Sequence, residues 1–181
     1  MEKIISDLLE LRSIELEDKY QIYAYRSDSE ISRYQSWKPK TIEEVHEFIS
    51  TKIQREPNIL NTWMQFAICT RADHKLVGDC GTHFLENDLD QVEIGITISK
   101  QNQGMGYGAE TLAVIFDYIF LNLGKHRIIA SVDPENTASI KLLEKMKMRK
   151  EAHFIKSICI DGEWVDDVIY AILAIEWLGK R

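Results

Sequence analysis

The segment Gln101-Asn102-Gln103-Gly104-Met105-Gly106-Tyr107-Gly108-Ala109-Glu110 follows a strand-like run and opens a long apolar helix, and this order restricts the fold more than any other feature. A strand, a glycine-rich turn and a buried helix in succession imply a sheet covered by helices, of the α/β or α+β class. Glycine has no Cβ to hold a ligand off the backbone, and it takes turn conformations that other residues resist. Successive N–H groups can then converge on one anion. The helix start adds amides without intrahelical partners and a partial positive charge, a combination suited to phosphate or pyrophosphate. Two familiar glycine-rich patterns do not fit. The phosphate loop needs Gly-Lys-Ser/Thr where Gly108-Ala109-Glu110 stands, and the dinucleotide fingerprint needs its third glycine at Ala109. What remains is Gln-x-x-Gly-x-Gly, either an anion cradle or an ordinary glycine-rich loop.

A chain of 181 residues fits a single domain spanning 1–181, with 45% hydrophobic and 28% charged residues. A domain of this length buries roughly 70% of its unfolded surface, enough for a core. Met1 to Asp7 meets a charge before any long apolar stretch forms, so no secretory signal is read there and the cytoplasm is expected. No run approaches the roughly 20 apolar residues that cross a bilayer. Cys69, Cys80 and Cys159 lie far apart in apolar runs and read as buried thiols. Neither they nor His46, His74, His83, His126 and His153 show metal-ligand spacing, so no metal is assigned. A formal charge of −7 argues against direct nucleic-acid binding and is compatible with a cationic substrate.

Helical periodicity runs over Leu16–Arg26 and Thr41–Arg55, the second opened by a capping box of Thr41 and Glu44. Trp63–Thr70, Lys75–Leu85 and Val92–Ser99 read as three antiparallel strands. The glycine segment leads into a helix over Tyr107–Leu123. Arg127–Val132 is a strand, Thr137–Lys147 a short helix, and Ala152–Ile160 with Trp164–Ile175 two final strands joined by Asp161-Gly162, a hairpin signal.

The succession of strand, Gln101-x-x-Gly104-x-Gly106, buried helix, strand, Asn136-x-x-Ser139 and short helix resembles the acetyl-CoA-binding core of the GNAT N-acetyltransferase superfamily. The resemblance extends to its RimJ/RimL-like branch of ribosomal-protein N-terminal acetyltransferases. Leu11-Arg12, Arg26 to Tyr34, Trp37-Lys38-Pro39, Glu93-Ile94-Gly95, Gln103 to Tyr107, Asn136 to Ser139 and Asp167 to Trp177 carry it, in order. It implies a mixed, strongly twisted seven-stranded sheet flanked by helices and splayed at its centre, where a pantetheine arm enters. It also implies that acetyl-CoA is bound through backbone at Ile96 and Ile98, through Gln103, Gly104, Met105, Gly106, Tyr107, Gly108 and Ala109, and near Asn136 and Ser139. The acceptor would be a primary amine, with a protein N-terminal α-amine as the first expectation. Small amines such as polyamines, amino sugars or antibiotics, and a non-catalytic acyl-CoA sensor, stay open as alternatives, as does a monomer or a homodimer.

Acetyl transfer to an amine needs a base to take the ammonium proton, a place for the carbonyl oxygen's negative charge, and a proton for the departing thiolate. Glu93 is the base candidate, since it matches the family's Glu-Ile-Gly stretch and alternation puts it with Gly95 and Thr97 opposite Ile94, Ile96 and Ile98. Backbone N–H groups near Ile94 to Ile96 are candidates for the oxyanion. Relatives place a tyrosine acid seven residues after the motif's Asn; Leu143 stands there, which shifts the role to Ser139. Asn136 either contacts the cofactor or caps the helix. Tyr34, Trp37 and Trp63 either line the acceptor pocket or pack, and Asp167 either orients the amine or pairs on an outer strand. Lys147 replaces a usual glycine, so the short helix is expected to end differently.

Overall fold

The structure, a computed structural model, describes residues 3–86, 88 and 90–179. One sheet has the order β1-β2-β4-β5-β6-β7-β9-β8, with β3 beside β4. Its strands are β1 (Ile4–Ile5), β2 (Leu9–Ser13), β3 (Ile53–Gln54), β4 (Thr62–Thr70), β5 (Leu76–Phe84), β6 (Gln91–Ile98), β7 (Arg127–Val132), β8 (Arg149–Ile160) and β9 (Glu163–Leu173). Two of these are two-residue stubs, so seven strands carry the sheet. The helices are α1 (Lys19–Arg26), α2 (Ser29–Ser32), α3 (Ile42–Thr51), α4 (Tyr107–Asp117, continued by a π turn to Asn122), α5 (Thr137–Lys145) and α6 (Ala174–Leu178).

β4 and β5 are buried on both faces because each face has its own core. On one side Met64, Phe66, Ile68, Cys80 and Phe84 meet Leu112, Ile115, Phe116 and Ile119 of α4. On the other, Ala67 and Cys69 meet Ile22 and Tyr25 of α1 and Val45 and Ile49 of α3. Burying an apolar side chain of this size contributes about 1.5–3 kcal/mol. That explains why α4, against the larger core, is apolar around most of its circumference, whereas α3 keeps a single stripe.

The sheet comes apart at its middle. β6 pairs with β5 from Val92 to Ile98 but with β7 only at Gln91–Arg127, Val92–Ile128 and Glu93–Ile129, in parallel. Beyond Glu93 the two strands diverge, while β7 stays paired with β9 as far as Val132.

Several expectations need correction. Leu9–Ser13 is a strand that its short, mixed pattern did not announce. The helix expected over Thr41–Arg55 stops at Thr51, and Ile53-Gln54 pairs with Trp63-Met64. Thr41 caps that helix through Glu44 N–H (3.2 Å), but the Glu44 carboxylate accepts from Lys40 N–H (2.7 Å), so the box is not closed on Thr41 itself. The last strand ends at Leu173, where Glu176 turns back to accept the Leu173 N–H (2.8 Å) and starts α6. β8 begins three residues before its expected start at Ala152. Cys69 and Cys80 are buried as expected; Cys159 is exposed. No helix among the described residues is long and apolar enough to cross a membrane.

Lys147 also departs from expectation. The helix ends as it would with glycine: Lys147 adopts φ +64, and Met148 N–H reaches back to Leu143 O (3.0 Å). The left-handed conformation costs an L-residue about 1–2 kcal/mol. Lys147→Gly is therefore expected to stabilise the fold by about 1 kcal/mol once glycine's greater freedom in the unfolded chain is offset, measured by urea unfolding.

Candidate functional site

The cradle lies where β6 gives way to α4. Gln103 N–H bonds Lys100 O (3.3 Å), and the first helical bond runs from Glu110 N–H to Gly106 O (3.1 Å). The amides of Gly104 to Ala109 lie between them. Gly104 (φ +77) and Gly106 (φ +84) take the left-handed conformation, and a Cβ built on either meets nothing within 4 Å. The turn is thus unobstructed on the side to which these Cβ atoms would point. Gly108 is different: its missing Cβ leaves room for Leu142 of α5, whose Cδ2 would lie 3.1 Å away, so this glycine packs α4 against α5.

The backbone phase of β6 follows from two bonds. Ser99 N–H donates to Val77 O (2.9 Å) on the β5 side, and Arg127 N–H donates to Asp90 O (3.2 Å) on the β7 side. Alternation then directs the peptide groups of Glu93, Gly95 and Thr97 at β5 and those of Ile94, Ile96 and Ile98 into the split. The Ile98 carbonyl already accepts from Gln103 Nε2 (3.0 Å), which ties the strand end to the cradle. Beyond β7, Asn136 opens α5, and its side-chain Oδ1 accepts from Ser139 N–H (3.1 Å). Its capping role is thus explicit. Ser139 is half-buried in the first turn of α5, and Leu143, one turn on, is buried in the core.

On the other face of the sheet, Glu93, Gly95 and Thr97 line the β6 side of the split. Gly95 is exposed, with open space where its Cβ would be. The Glu93 carboxylate lies 3.2 Å from His83 Nδ1, and the His83 ring stacks on Trp63 at 4.7 Å and 6°. When Glu93 is ionised the imidazole N–H donates to it. Sequence reasoning missed His83; the signal was that it faces Glu93 across the β5–β6 pair. Across the split, alternation puts Asp167 of β9 and Ser131 of β7 on this same face, and Ser131 Oγ donates to Asp167 Oδ1 (2.7 Å). Asp167 is buried and, among the described residues, pairs with no cation.

Thr97 connects this face to a buried polar chain. Its hydroxyl accepts from Gln35 Nε2 (2.9 Å), Gln35 Oε1 accepts from Arg26 Nη1 (2.8 Å), and Arg26 holds Asp79 by Nε (3.0 Å) and Nη2. Tyr25 also donates to Asp79 (2.5 Å). Burial, reinforced by the Asp79 charge, pushes the Tyr25 hydroxyl's pKa well up. Burial opposes the charge on Arg26, but Asp79 outweighs it and raises the guanidinium's pKa.

Trp37 stacks on Phe48 (4.1 Å) and lies under the Arg26 guanidinium (5.1 Å). It also lines a cavity of about 620 Å³ bounded by Tyr23, Arg26, Ser27, Ser32, Ser36, Lys38, Pro39, Lys40 and Asp161. The hairpin turn, with φ +52 at Asp161 and +87 at Gly162, reaches this loop through Lys38–Asp161 (2.6 Å). Tyr34 is not among the cavity residues; its ring lies under the guanidinium of Arg33 (5.1 Å). No metal-binding cluster of His, Cys, Asp or Glu occurs among the described residues.

A split sheet, an amide cradle and a carboxylate on the far face suit a thioester cofactor carried on a diphosphate and an acceptor approaching from the other side. Comparison with known proteins agrees. The family model described as acetyltransferase (GNAT) domain matches residues 9–149. The uncharacterized N-acetyltransferase p20 of Bacillus licheniformis is 29% identical over 180 residues, covering 99% of this chain and 100% of the relative. A GNAT-family acetyltransferase from Bacillus anthracis superposes with a TM-score of 0.84 at 29% identity, covering 97% of this chain and 100% of that one. A ribosomal protein uS5-alanine N-acetyltransferase of Escherichia coli is 32% identical over 88 residues, 49% of this chain and 45% of the relative. The spermidine N-acetyltransferase of Vibrio cholerae, in complex with CoA and spermine, shares the fold at a TM-score of 0.80 and 23% identity, over 94% of this chain and 98% of that one. The chain belongs to the GNAT acetyltransferase family and is an N-acetyltransferase that uses acetyl-CoA.

Proposed function

We propose that this enzyme acetylates the α-amine at a protein N-terminus, in the manner of the RimJ/RimL-like branch. The partial similarity to the uS5-alanine acetyltransferase supports the choice of acceptor. The observation that carries the mechanism is the split between β6 and β7, with the open glycine cradle at one end and the Glu93–His83 pair on the far face.

Acetyl-CoA supplies an acetyl group already activated as a thioester. The amides of Gly104 to Ala109 hold its diphosphate, helped by the positive end of α4. Peptide groups of Ile96 and Ile98 line the arm's path, and the N–H groups of Ile94 and Ile96 face the oxygen on which negative charge develops, a role typically worth a few kcal/mol. Glu93 takes the ammonium proton, its carboxylate oriented by His83, which is in turn fixed by the Trp63 ring. Asp167, held by Ser131, draws the ammonium to the split. The neutral amine attacks the thioester carbon, the C–S bond breaks, and the second nitrogen proton passes to the departing sulfur through the Ser139 hydroxyl, which takes one proton as it gives another, since buried Leu143 has no proton to move.

Thiol release from acetyl-CoA with a panel of N-terminal peptides and small amines tests this reading. Turnover of free-N-terminus peptides, abolished by blocking the α-amine, is expected. Turnover of polyamines or amino sugars alone would replace the acceptor class, and tight CoA binding without any turnover would make the protein a sensor.

The cradle has its own test. Gly106→Val places a branched side chain where the ligand must approach, at a φ of +84 that valine resists. CoA affinity, by calorimetry, is expected to fall at least about tenfold, the equivalent of about 1.4 kcal/mol. Unchanged affinity in a folded variant would remove the diphosphate from this loop.

A further inference from the structure

We propose, resting on the amine-acetylation reading above, that the acceptor carries an acidic group as well as its amine. The amine sits at the split and the acid in the cavity beneath residues 36–40. The two ends of the acceptor face have opposite electrical character. At the split stand Glu93 and buried Asp167, which pairs with no cation among the described residues. The cavity, in contrast, is lined by three cationic side chains, Arg26, Lys38 and Lys40, against one carboxylate, Asp161. Asp79 neutralises Arg26 and Asp161 neutralises Lys38. Lys40 makes no ion pair among the described residues; the Glu44 carboxylate accepts its backbone N–H (2.7 Å) but does not line the cavity, so the lining keeps one cationic side chain without a carboxylate partner, with serine hydroxyls beside it to donate hydrogen bonds.

This sign runs against the chain as a whole, which has 29 acidic and 22 basic residues. The two regions are also tied together: Gln35 bridges Arg26, on the cavity wall, to Thr97, on the strand and face of Glu93. A volume of about 620 Å³ is of ligand size and accommodates the side chains that follow a reacting N-terminus. A molecule with an ammonium at one end and a carboxylate at the other is oriented by both charges. A polycation meets Lys40 with a like charge.

Steady-state acetylation of Ala-Glu-Glu, Ala-Gln-Gln and Ala-Lys-Lys peptides, free glutamate and spermidine, at low and high salt, tests the proposal. The expected order of kcat/KM is acidic over neutral over basic, roughly two- to fivefold per charge as for partly exposed charge contacts, and compressed by salt. Lys40→Glu is expected to invert the order of the peptides, and unchanged CoA affinity shows that the variant is folded. Turnover of glutamate as fast as the acidic peptide assigns the same chemistry to a small acceptor; turnover of the peptide alone assigns it to a polypeptide. Acceptors used without regard to sign, or spermidine used best, overturn this inference and leave amine acetylation standing. No thiol release with any amine overturns both.

Discussion

Glu93→Gln is expected to lower kcat at pH 7 by about tenfold for an α-amine acceptor and by about a thousandfold or more for a lysine-like one, while CoA affinity stays the same. Glutamine keeps the size of the side chain and its contact with His83 but cannot take a proton. The variant must then draw on acceptor that is already neutral. For an α-amine with a pKa near 8 that is roughly one-tenth of the molecules at pH 7; for a lysine-like amine near 10.4 it is under about one in a thousand. Below the amine's pKa the variant's rate should climb about tenfold per pH unit, so its deficit against the wild-type enzyme narrows as pH rises. A plateau near pH 8 would mark an α-amine, and a climb continuing toward pH 10 a side-chain or polyamine nitrogen. Profiles that run parallel for the two enzymes would remove Glu93 as the base.

Asp79→Ala should cost stability on the scale of about 3–5 kcal/mol, since it strands the Arg26 guanidinium in a site where the carboxylate is 2% exposed. For a chain of this length about 2–4 °C is lost per kcal/mol, so the melting temperature should fall by roughly 10 °C. The effect extends beyond stability. Arg26 anchors Gln35 and lies over Trp37, so losing Asp79 frees the loop that forms the cavity. The acceptor KM should rise in the folded fraction while CoA affinity is held. A thermal shift below about 2 °C would show that the Asp79–Arg26 pair is dispensable.

The helices and strands that flank the split were legible because their signals are local. Glycine spacing announced the cradle, Asp161-Gly162 the hairpin, and the apolar pattern of Leu112 to Ile119 the buried helix. β2 was not legible: its residues Leu9–Ser13 owe their strand to pairing with Phe66–Thr70, more than fifty positions away. Ile53-Gln54 likewise left the helical pattern for a neighbour on β4. At the site, alternation placed Glu93 on the correct face, but the partner that orients it was hidden. His83 becomes its neighbour only through the β5–β6 register, and among five histidines nothing local singles it out. Asp79 was equally silent, because a lone aspartate within an apolar strand says nothing of the arginine that arrives from α1. Lys147 misled for the opposite reason: the backbone accepts a strained residue when the flanking contacts of Leu143 and Met148 hold the turn in place.

The divergence of β6 from β7 leaves two raw strand margins, 94–98 and 130–132, on either side of a gap, with the strands joined among the described residues at one end, by the parallel pairing at 91–93 and the bonds to Asp90 O. Without coenzyme, the molecule resembles a book held by a few stitches at one end of its spine. In the binding mode proposed above, a pantetheine arm would serve as the missing rung as well as the acetyl carrier. At a hundredfold excess over its dissociation constant a ligand adds about 2.7 kcal/mol to the folded state. Resistance to protease, and with it the enzyme's lifetime, should therefore rise and fall with the supply of coenzyme A.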